Sequence, residues 1–230
     1  MDAAAAAAQD MTAHFAAARR FMVDGQLRPN KVTDPRIVAA MLDLPREQFL
    51  PPGLAARAYQ DEDVALPGGR ALMEPMVLAR LAQLLALRRG ERALLLGAGT
   101  GYGAALLARM GAAVTAVEDD AALLTIARAA LPAVTEAGSV TLVEASPAAG
   151  HSAGAPYDVI LIEGEVPAVP RPILEQLAEG GRLATVLRDR PPARHAILVR
   201  RVGESFTTLP AFDCATTPLP AFLPGPHFIF

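Results

Sequence analysis

The segment Gly97-Ala98-Gly99-Thr100-Gly101 constrains the fold of this chain more than any other feature of the sequence. It follows the short apolar run 93–96, which is typical of a buried parallel strand, and it precedes a helical pattern over 102–110. Glycine permits the tight turn and lets a ligand approach the backbone where a Cβ would intrude. The amide groups that begin the helix attract negative or polar ligand groups. This strand–turn–helix unit predicts a nucleotide- or nucleoside-binding α/β domain.

Apolar runs and helical patterns alternate along the second two thirds of the chain. Helices are predicted over 74–87, 102–110, 121–131 and 170–177, and strands over 93–96, 113–117, 140–143, 158–162 and 182–187. This alternation requires βαβ crossovers, and therefore a mostly parallel sheet covered by helices on both faces. Two more strands, over 196–202 and 205–211, are predicted to form a hairpin around Gly203. The fold class is thus α/β, a Rossmann-like three-layer α/β/α sandwich.

The first third of the chain has a different character. Residues 1–25 are rich in alanine and favour a helix, on which three side chains are expected to form an apolar stripe: Phe15, Phe21 and Met22. A second helix is predicted from Asp34-Pro35 to Leu44, whereas 56–67 has an irregular pattern. We therefore divide the chain into a helical N-terminal extension that covers a cleft, residues 1–75, and a ligand-binding domain, residues 76–230, within one structural unit.

Composition limits the classes of function. With 52% hydrophobic and 20% charged residues the chain is of a globular kind, and its net charge of −3 argues against a nucleic-acid partner. The sequence has no membrane-span window and no signal-peptide pattern, so a cytoplasmic location is expected. The single cysteine, Cys214, is expected to be a packed thiol. No metal is predicted, because the four histidines lack ligand spacing: His14, His151, His195 and His227.

Glu118 provides the acidic partner of the glycine turn. It ends the next predicted strand, seventeen residues after Gly101, where a carboxylate can accept hydrogen bonds from both hydroxyls of a ribose. Tyr102 occupies the position where the dinucleotide fingerprint has its third glycine. The spacing therefore favours a nucleoside ligand without a pyrophosphate, such as S-adenosylmethionine, with a nicotinamide cofactor as the alternative.

From about Met22 to Leu187 the chain resembles the protein-L-isoaspartate O-methyltransferases. The resemblance implies a seven-stranded sheet, S-adenosylmethionine as methyl donor, and methylation of L-isoaspartyl carboxyl groups in damaged proteins. A carboxylate is already ionised at neutral pH, so such an enzyme mainly has to align it with the methyl group. These motifs carry the resemblance: Gln26-Leu27-Arg28, Asp34-Pro35-Arg36, Leu44-Pro45-Arg46-Glu47-Gln48-Phe49-Leu50-Pro51, Ala58-Tyr59-Gln60-Asp61, Leu66-Pro67-Gly68-Gly69, Leu96-Gly97-Ala98-Gly99-Thr100-Gly101-Tyr102, Pro156-Tyr157-Asp158 and Gln176-Leu177-Ala178-Glu179-Gly180-Gly181-Arg182-Leu183.

Motif and resemblance together give the candidate site. Ten residues are predicted to contact the cofactor: Gly97, Ala98, Gly99, Gly101, Tyr102, Glu118, Asp119, Ala145, Ser146 and Glu163. Three are candidates for contact with the substrate: Arg70, Met73 and Glu165. No catalytic residue is assigned, since the family's position is occupied by Met73. For Arg70 the alternatives are a substrate carboxylate as partner or a solvated side chain.

Three segments depart from the family pattern. Gly69-Arg70-Ala71-Leu72-Met73 stands where the family has glycine-glutamine-threonine-isoleucine-serine, so both active-site hydroxyls are missing. Ser146 replaces an aspartate expected near the adenine. Glu163-Gly164-Glu165 replaces a small apolar loop at the carboxyl end of a strand, where ligands bind. These two carboxylates are suited to a cationic or amine-bearing acceptor, or repel an isoaspartyl carboxylate.

Three functions therefore stay open at this stage. The first is methylation of isoaspartyl residues in proteins or peptides. The second is the same fold and cofactor acting on another small acceptor, with Glu163 and Glu165 setting the preference. The third is a cofactor-binding adaptor that has lost catalysis and acts through its alanine-rich N-terminus and its tail, 218–230, which is expected to dock through aromatic residues. The sequence does not specify an oligomeric state.

Overall fold

The computed structural model of the chain describes residues 3–190 and 193–224. Its α-helices are α1 (Ala3–Met22), α2 (Pro35–Asp43), α3 (Pro75–Leu84), α4 (Tyr102–Arg109), α5 (Ala121–Ala130) and α6 (Arg171–Leu174). Its strands are β1 (Val64–Leu66), β2 (Arg70–Leu72), β3 (Arg92–Leu96), β4 (Ala113–Glu118), β5 (Val140–Glu144), β6 (Tyr157–Val166), β7 (Leu177–Arg190), β8 (Ala193–Val202) and β9 (Ser205–Asp213). Among the described residues, no helix is long and apolar enough to cross a membrane.

Seven strands form the main sheet in the order β5-β4-β3-β6-β7-β8-β9. The strands from β3 to β7 pair in parallel, and β8 and β9 are antiparallel at one edge. The strand order reverses between β3 and β6, which leaves a crevice at their carboxyl ends where ligands bind in such sheets. The predicted Rossmann-like, mostly parallel seven-stranded sheet is therefore confirmed, as is the edge hairpin around Gly203.

The central strands explain why the apolar runs of the sequence are short and continuous. Ala93 to Leu96 of β3 are completely buried. Successive side chains of a strand point to opposite faces, so Leu95 belongs to one apolar cluster and Leu94 and Leu96 to the other. The larger cluster also contains residues of the N-terminal region, such as Ile37 and Phe49. The N-terminal extension and the main sheet thus share one hydrophobic core. The division of the chain at residue 75 stays a prediction.

The two faces of the sheet are covered unequally. Helices α3, α4 and α5 contribute to the larger apolar cluster, whereas the smaller cluster includes Ile173 of the four-residue helix α6. The link between β5 and β6 contains two single 3-10 turns, Pro147–Ala149 and Ser152–Gly154, instead of an α-helix. The C-terminal region covers part of the sheet face that carries the smaller apolar cluster, because Leu219 belongs to that cluster.

Three local expectations from the sequence were wrong. Phe21 is 77% exposed and does not share the apolar stripe, since it lies about 100° around the helix from Met22, which is buried. The helix predicted over 170–177 ends at Leu174, because Leu177 pairs with Tyr157 and begins β7. The stretch 56–67, predicted to be irregular, contains β1, which forms an antiparallel hairpin with β2.

Candidate cofactor cleft

The glycine turn and Glu118 meet at the carboxyl ends of β3 and β4. Gly97 follows β3 with φ +73°, a left-handed conformation that favours glycine. Glu118 is the last residue of β4 and is completely buried. Its Oε2 accepts a hydrogen bond from the backbone amide of Gly99 at 2.6 Å, and its Oε1 accepts from the amides of Asp119 and Asp120, both at 3.0 Å. The fold therefore brings together the turn and the acid that the sequence indicated.

Arg70 occupies the outer side of the Glu118 carboxylate. Its Nη1 donates to Oε1 at 2.6 Å and its Nη2 donates to Oε2 at 2.8 Å, with the two side chains 6% and 0% exposed. A second carboxylate, Asp119, lies 3.5 Å from Nη1, and burial raises its pKa above the ordinary value, with the neighbouring Glu118 adding to the shift. The partner of Arg70 is thus an internal carboxylate, so the expectation of a solvated side chain was wrong, whereas contact of Arg70 with a substrate carboxylate stays a prediction.

Leu219 covers the glycine turn itself. A Cβ built on Gly97 would lie 2.7 Å from Cδ2 of Leu219, which is too close, and 3.2 Å from Nη2 of Arg70, which is a tight contact. Leu219 is 2% exposed, and its amide donates to the carbonyl of Glu165 at 2.9 Å. The sequence did not single out Leu219; of the aromatic residues expected to dock the tail, Phe222 packs against the smaller apolar cluster. Phe228 and Phe230 lie outside the described residues.

The segment Thr216–Leu219, here named the C-terminal strap, is held at two places. On one side the amide of Glu165 donates to the carbonyl of Thr217 at 3.1 Å. On the other, Oδ2 of Asp63 accepts from Oγ1 of Thr216 at 2.8 Å, and from the amide and Oγ1 of Thr217 at 2.6 and 2.8 Å. Asp63 also accepts from the amide of Glu74 at 2.8 Å through Oδ1. One carboxylate therefore ties the strap to the N-terminal region.

A nucleoside does not fit the cleft in this conformation. Glu118 already accepts five hydrogen bonds, so its oxygens are not available to ribose hydroxyls. The space left between Arg70, Met73, Glu163 and Leu219 is about 10 Å³, which is at the lower limit for a single water molecule. The elements of a ribose site are present, but this chain's own side chains fill it.

The residues predicted on the adenine side lie next to Glu118. The amide of Ala145 donates to the backbone carbonyl of Glu118 at 3.1 Å. Ser146 follows at the start of the turn Pro147–Ala149 and is exposed. Both positions are therefore adjacent to the cleft, and their contact with a cofactor stays a prediction.

Glu163 and Glu165, near the carboxyl end of β6, have different surroundings. Glu163 is 9% exposed, and within the described part of the chain its Oε2 has no hydrogen-bond partner. Burial raises the pKa of Glu163 to about 8, although the positive charges of Arg46 and Arg70 oppose this shift. In the same part of the chain neither oxygen of Glu165 has a hydrogen-bond partner, but this carboxylate lies 3.1 Å from Nε of Arg188 and 2.8 Å from Nε of Arg194. Glu163 faces the cleft residues, whereas Glu165 is already balanced by two cations.

Met73 and Tyr102 are packed into the floor below the cleft. Met73 is 2% exposed, and its carbonyl accepts a hydrogen bond from the buried guanidinium of Arg46. The guanidinium carbon of Arg46 lies 4.9 Å from the ring centroid of Tyr102, which packs edge-on against Phe49 at 5.4 Å. Tyr102 is completely buried, so its position is suited to packing the turn against the core. Arg46 lies in the segment Leu44–Pro51, and no pattern in the sequence predicted its contact with the carbonyl of Met73.

Cys214 packs against the larger apolar cluster, as expected of a structural thiol. Burial raises its pKa to about 11, which keeps the thiol protonated at neutral pH.

The sheet order, the glycine turn after β3 and the acid at the end of β4 define the class of Rossmann-like, S-adenosylmethionine-dependent methyltransferases. Within this class, residues 19–204 match the family described as Protein-L-isoaspartate(D-aspartate) O-methyltransferase (PCMT), and the chain belongs to that family. The members of this family are S-adenosylmethionine-dependent O-methyltransferases.

Individual relatives agree with this assignment. A protein-L-isoaspartate O-methyltransferase of Methylorubrum populi is 41% identical over 192 residues, covering 83% of this chain and 89% of the relative. One of Methanoregula boonei is 38% identical over 182 residues, covering 79% and 83%. A solved protein-L-isoaspartate O-methyltransferase superimposes with a TM-score of 0.74 at 25% identity, covering 87% of this chain and 65% of that one. A Plasmodium falciparum protein solved with S-adenosyl-L-homocysteine shares the fold, with the same TM-score at 17% identity and coverage of 87% and 97%.

Proposed function

We propose that this chain methylates the carboxyl group of L-isoaspartyl residues in damaged proteins, with S-adenosylmethionine as the methyl donor. The observation that carries the proposal is the contact of Glu118 with the Gly99 amide at 2.6 Å, at the carboxyl ends of two adjacent parallel strands. A carboxylate held at this place is what ribose recognition requires. The chain's relatives of 38–41% identity carry the name of this activity. The proposal places the protein in the cytoplasm, with proteins or peptides as its partners.

The proposed reaction needs little acid–base chemistry from the protein. An isoaspartyl carboxylate is ionised near pH 7 and is itself the nucleophile. The task of the site is to position the two reactants and exclude water, and positioning alone supplies a large part of such rate enhancements. The absence of hydroxyl groups at Ala71 and Met73 is therefore compatible with activity, although it removes two groups able to orient the acceptor.

A second candidate is methylation of a different, amine-bearing acceptor. Beside the strap lies an open cavity of about 350 Å³ whose lining carries one cation, Arg194, and four acidic side chains: Asp61, Glu62, Asp63 and Glu74. Burial and the nearby Asp61 and Asp63 raise the pKa of Glu74 to about 7. Such an acidic surface repels a carboxylate and attracts a cation. This observation favours the second candidate over an isoaspartyl acceptor at that entrance.

Two successive measurements distinguish the isoaspartyl methyltransferase, the methyltransferase for an amine-bearing acceptor and the adaptor. Calorimetry first establishes whether the cofactor site binds S-adenosylhomocysteine. A transfer assay with labelled S-adenosylmethionine then compares three peptides of one sequence, containing isoaspartate, aspartate, or lysine at the same position. Methylation of the isoaspartyl peptide alone supports the first candidate, and methylation of the lysyl peptide alone supports the second. Cofactor binding without any transfer contradicts both and supports the adaptor. Absence of binding rejects all three when it extends to variants in which Arg70 or Leu219 no longer fills the cleft.

A further inference from the structure

We propose that Arg70 and Leu219 close the cofactor cleft from within the chain, so that S-adenosylmethionine binds only after both side chains have moved away. These two residues are here named the closure. The inference rests on the proposed function in one respect, namely that the cofactor binds at Glu118 and the glycine turn. It adds that the structure described is the closed state of this site.

Arg70 and a ribose compete for the same two oxygens. The guanidinium donates to both Oε1 and Oε2 of Glu118, and three backbone amides occupy further acceptor positions of the same carboxylate. Each carboxylate oxygen that a ribose hydroxyl would use already accepts a guanidinium N–H, at 2.6 and 2.8 Å, so the two hydroxyls cannot take these positions while the guanidinium remains. Binding of the ribose and pairing of Arg70 are therefore mutually exclusive.

Leu219 blocks the second contact that the cofactor needs. A ligand on the glycine turn has to approach the backbone at Gly97, where the isobutyl group of Leu219 now lies within 2.8 Å of a built Cβ position. The same side chain contacts Gly164, where a built Cβ would lie 2.9 Å from Cβ of Leu219. Leu219 therefore fills the space between the ends of β3 and β6, at the topological switch point.

The two parts of the closure come from elements that can move without breaking the main sheet. Arg70 begins β2, which pairs with β1 in a separate two-stranded sheet. Leu219 ends the C-terminal strap, which is joined to β6 by an isolated bridge between Glu165 and Pro218. Loop-like elements of this kind open at lower free-energy cost than central strands. Arg70 and Leu219 also approach the same point, Gly97, so that each limits access to it.

The strap also separates two spaces that would join on opening. Thr216, Thr217 and Pro218 line both the residual space of about 10 Å³ and the acidic cavity of about 350 Å³. The buried, unpartnered Oε2 of Glu163 belongs to a side chain that lines the smaller space. Displacement of the strap therefore connects Glu118 and Glu163 to the surface through one continuous cleft.

A closed state lowers the apparent affinity in proportion to its population. When the binding-competent state is only a fraction of the molecules, the apparent Kd equals the Kd of the open state divided by that fraction. Removing either part of the closure raises the open fraction, and the apparent Kd falls. An ordinary ligand-binding residue would behave in the opposite way, because its removal weakens binding.

Calorimetry with S-adenosylhomocysteine tests the closure on the full chain. The variants are Arg70→Ala, Leu219→Ala and the double variant, with the exposed Arg200→Ala and Leu223→Ala as controls of the same residue types. We expect each single variant to lower the Kd about tenfold or more, the double variant to lower it further, and the controls to equal the native chain. If urea unfolding shows that Arg70→Ala is unstable, the Kd of Leu219→Ala alone tests the closure.

Hydrogen exchange of a peptide that covers 216–219 provides a second readout. The amides of Thr217 and Leu219 are hydrogen-bonded in the closed state, so S-adenosylhomocysteine should increase their exchange in the native chain. Tight binding to the native chain with an unchanged or raised Kd in the variants overturns the closure and leaves the proposed function standing. Lack of binding by every variant overturns the proposed function and the closure together.

Discussion

Arg70 and Glu118 form a bidentate ion pair, and Glu118 has more hydrogen-bond partners outside the pair than Arg70 has. Glu118 accepts three backbone amides in addition to the guanidinium, at 2.6, 3.0 and 3.0 Å. Arg70 has, among the described residues, one other carboxylate within 4 Å, Asp119 at 3.5 Å. Removal of the guanidinium therefore leaves a carboxylate that is still hydrogen-bonded, whereas removal of the carboxylate charge leaves a buried cation with weak compensation.

This asymmetry predicts unequal costs of substitution. We expect Glu118→Gln to lower the free energy of unfolding by about 3–5 kcal/mol, the usual cost of stranding a buried charge. Arg70→Met should cost less, about 1–3 kcal/mol, the range for lost hydrogen bonds. Urea unfolding of both single variants and the double variant gives the coupling energy of the pair, which we expect to exceed about 1 kcal/mol.

The exposed pair of Arg128 and Glu144, at 3.2 Å, is the matched control. Its side chains are 53% and 54% exposed, so Arg128→Met and Glu144→Gln should each change stability by less than about 1 kcal/mol. Equal costs for Arg70→Met and Glu118→Gln would contradict the unequal support described above.

Asp63 is expected to hold the C-terminal strap by its charge. In Asp63→Asn only one side-chain oxygen remains, so the three bonds to Thr216 and Thr217 and the bond to the Glu74 amide cannot all be kept. We expect local opening of the strap to become roughly 10- to 100-fold more frequent, corresponding to the loss of about 1.5–3 kcal/mol in charge-assisted bonds. Chymotrypsin cleavage after Phe222 measures this opening. Asp61→Asn, an exposed neighbour two residues away, should cleave at the native rate.

The sequence predicted the parts of the fold that depend on local pattern. The run Ala93-Leu94-Leu95-Leu96 is buried on both faces, and a short continuous apolar stretch followed by glycine is typical of a central parallel strand. Glu118 was placed correctly, because the end of the second strand of a βαβ unit always lies beside the first turn. The sheet and the meeting of turn and acid follow from spacing along the chain.

The occupants of the cleft could not be predicted in the same way. Arg70 and Leu219 are 149 residues apart in sequence, and each reaches Gly97 through a tertiary contact that no local pattern reports. The β1–β2 hairpin was missed because its strands have three residues each, too few for an alternating pattern. The formation of such short strands depends on the surface against which they pack, and this surface cannot be read from the local sequence.

Glu163 should make stability depend on pH. Its pKa in the folded chain is about 8, against an ordinary value of 4.5, so between these pH values the folded state binds a proton that the unfolded state does not. The stabilisation is complete below pH 4.5 and is lost as the pH rises to about 8. Glu163→Gln removes this dependence. Urea unfolding at pH 5, 6.5 and 8 should show native stability falling relative to the variant, by up to about 1.4 kcal/mol per pH unit.

Glu204→Gln, in the exposed turn between β8 and β9, controls for the loss of a carboxylate as such. It should follow the native pH profile. Other titrating groups, including Glu74, are present in all three proteins and cancel in the comparison. A Glu163→Gln profile parallel to that of the native chain would mean that the carboxylate is ionised in the folded state, with the cations of Arg46 and Arg70 outweighing its burial.

Arg46 is expected to be a major anchor of the floor below the cleft. Its Nε donates to the carbonyl of Ala58 at 2.6 Å, its Nη2 donates to the carbonyl of Met73, and the side chain is completely buried. Arg46→Met removes the desolvation cost of the cation but leaves two buried carbonyls without donors, each costing about 1–3 kcal/mol. We expect the cost of the two unpaired carbonyls to exceed the gain in desolvation, so that the free energy of unfolding measured in urea falls by about 2–4 kcal/mol.

Arg46→Lys separates charge from geometry in this anchor. Lysine keeps the positive charge, but its single ammonium group lacks the planar fork that reaches both carbonyls and stacks on Tyr102 at 4.9 Å. We therefore expect Arg46→Lys to recover less than half of the loss, with the exposed Arg20→Lys unchanged. If Arg46→Lys were as stable as the native chain, charge alone would account for the anchor. If Arg46→Met were as stable, the desolvation cost of the buried guanidinium would offset its hydrogen bonds, and Met73 would be held by packing alone.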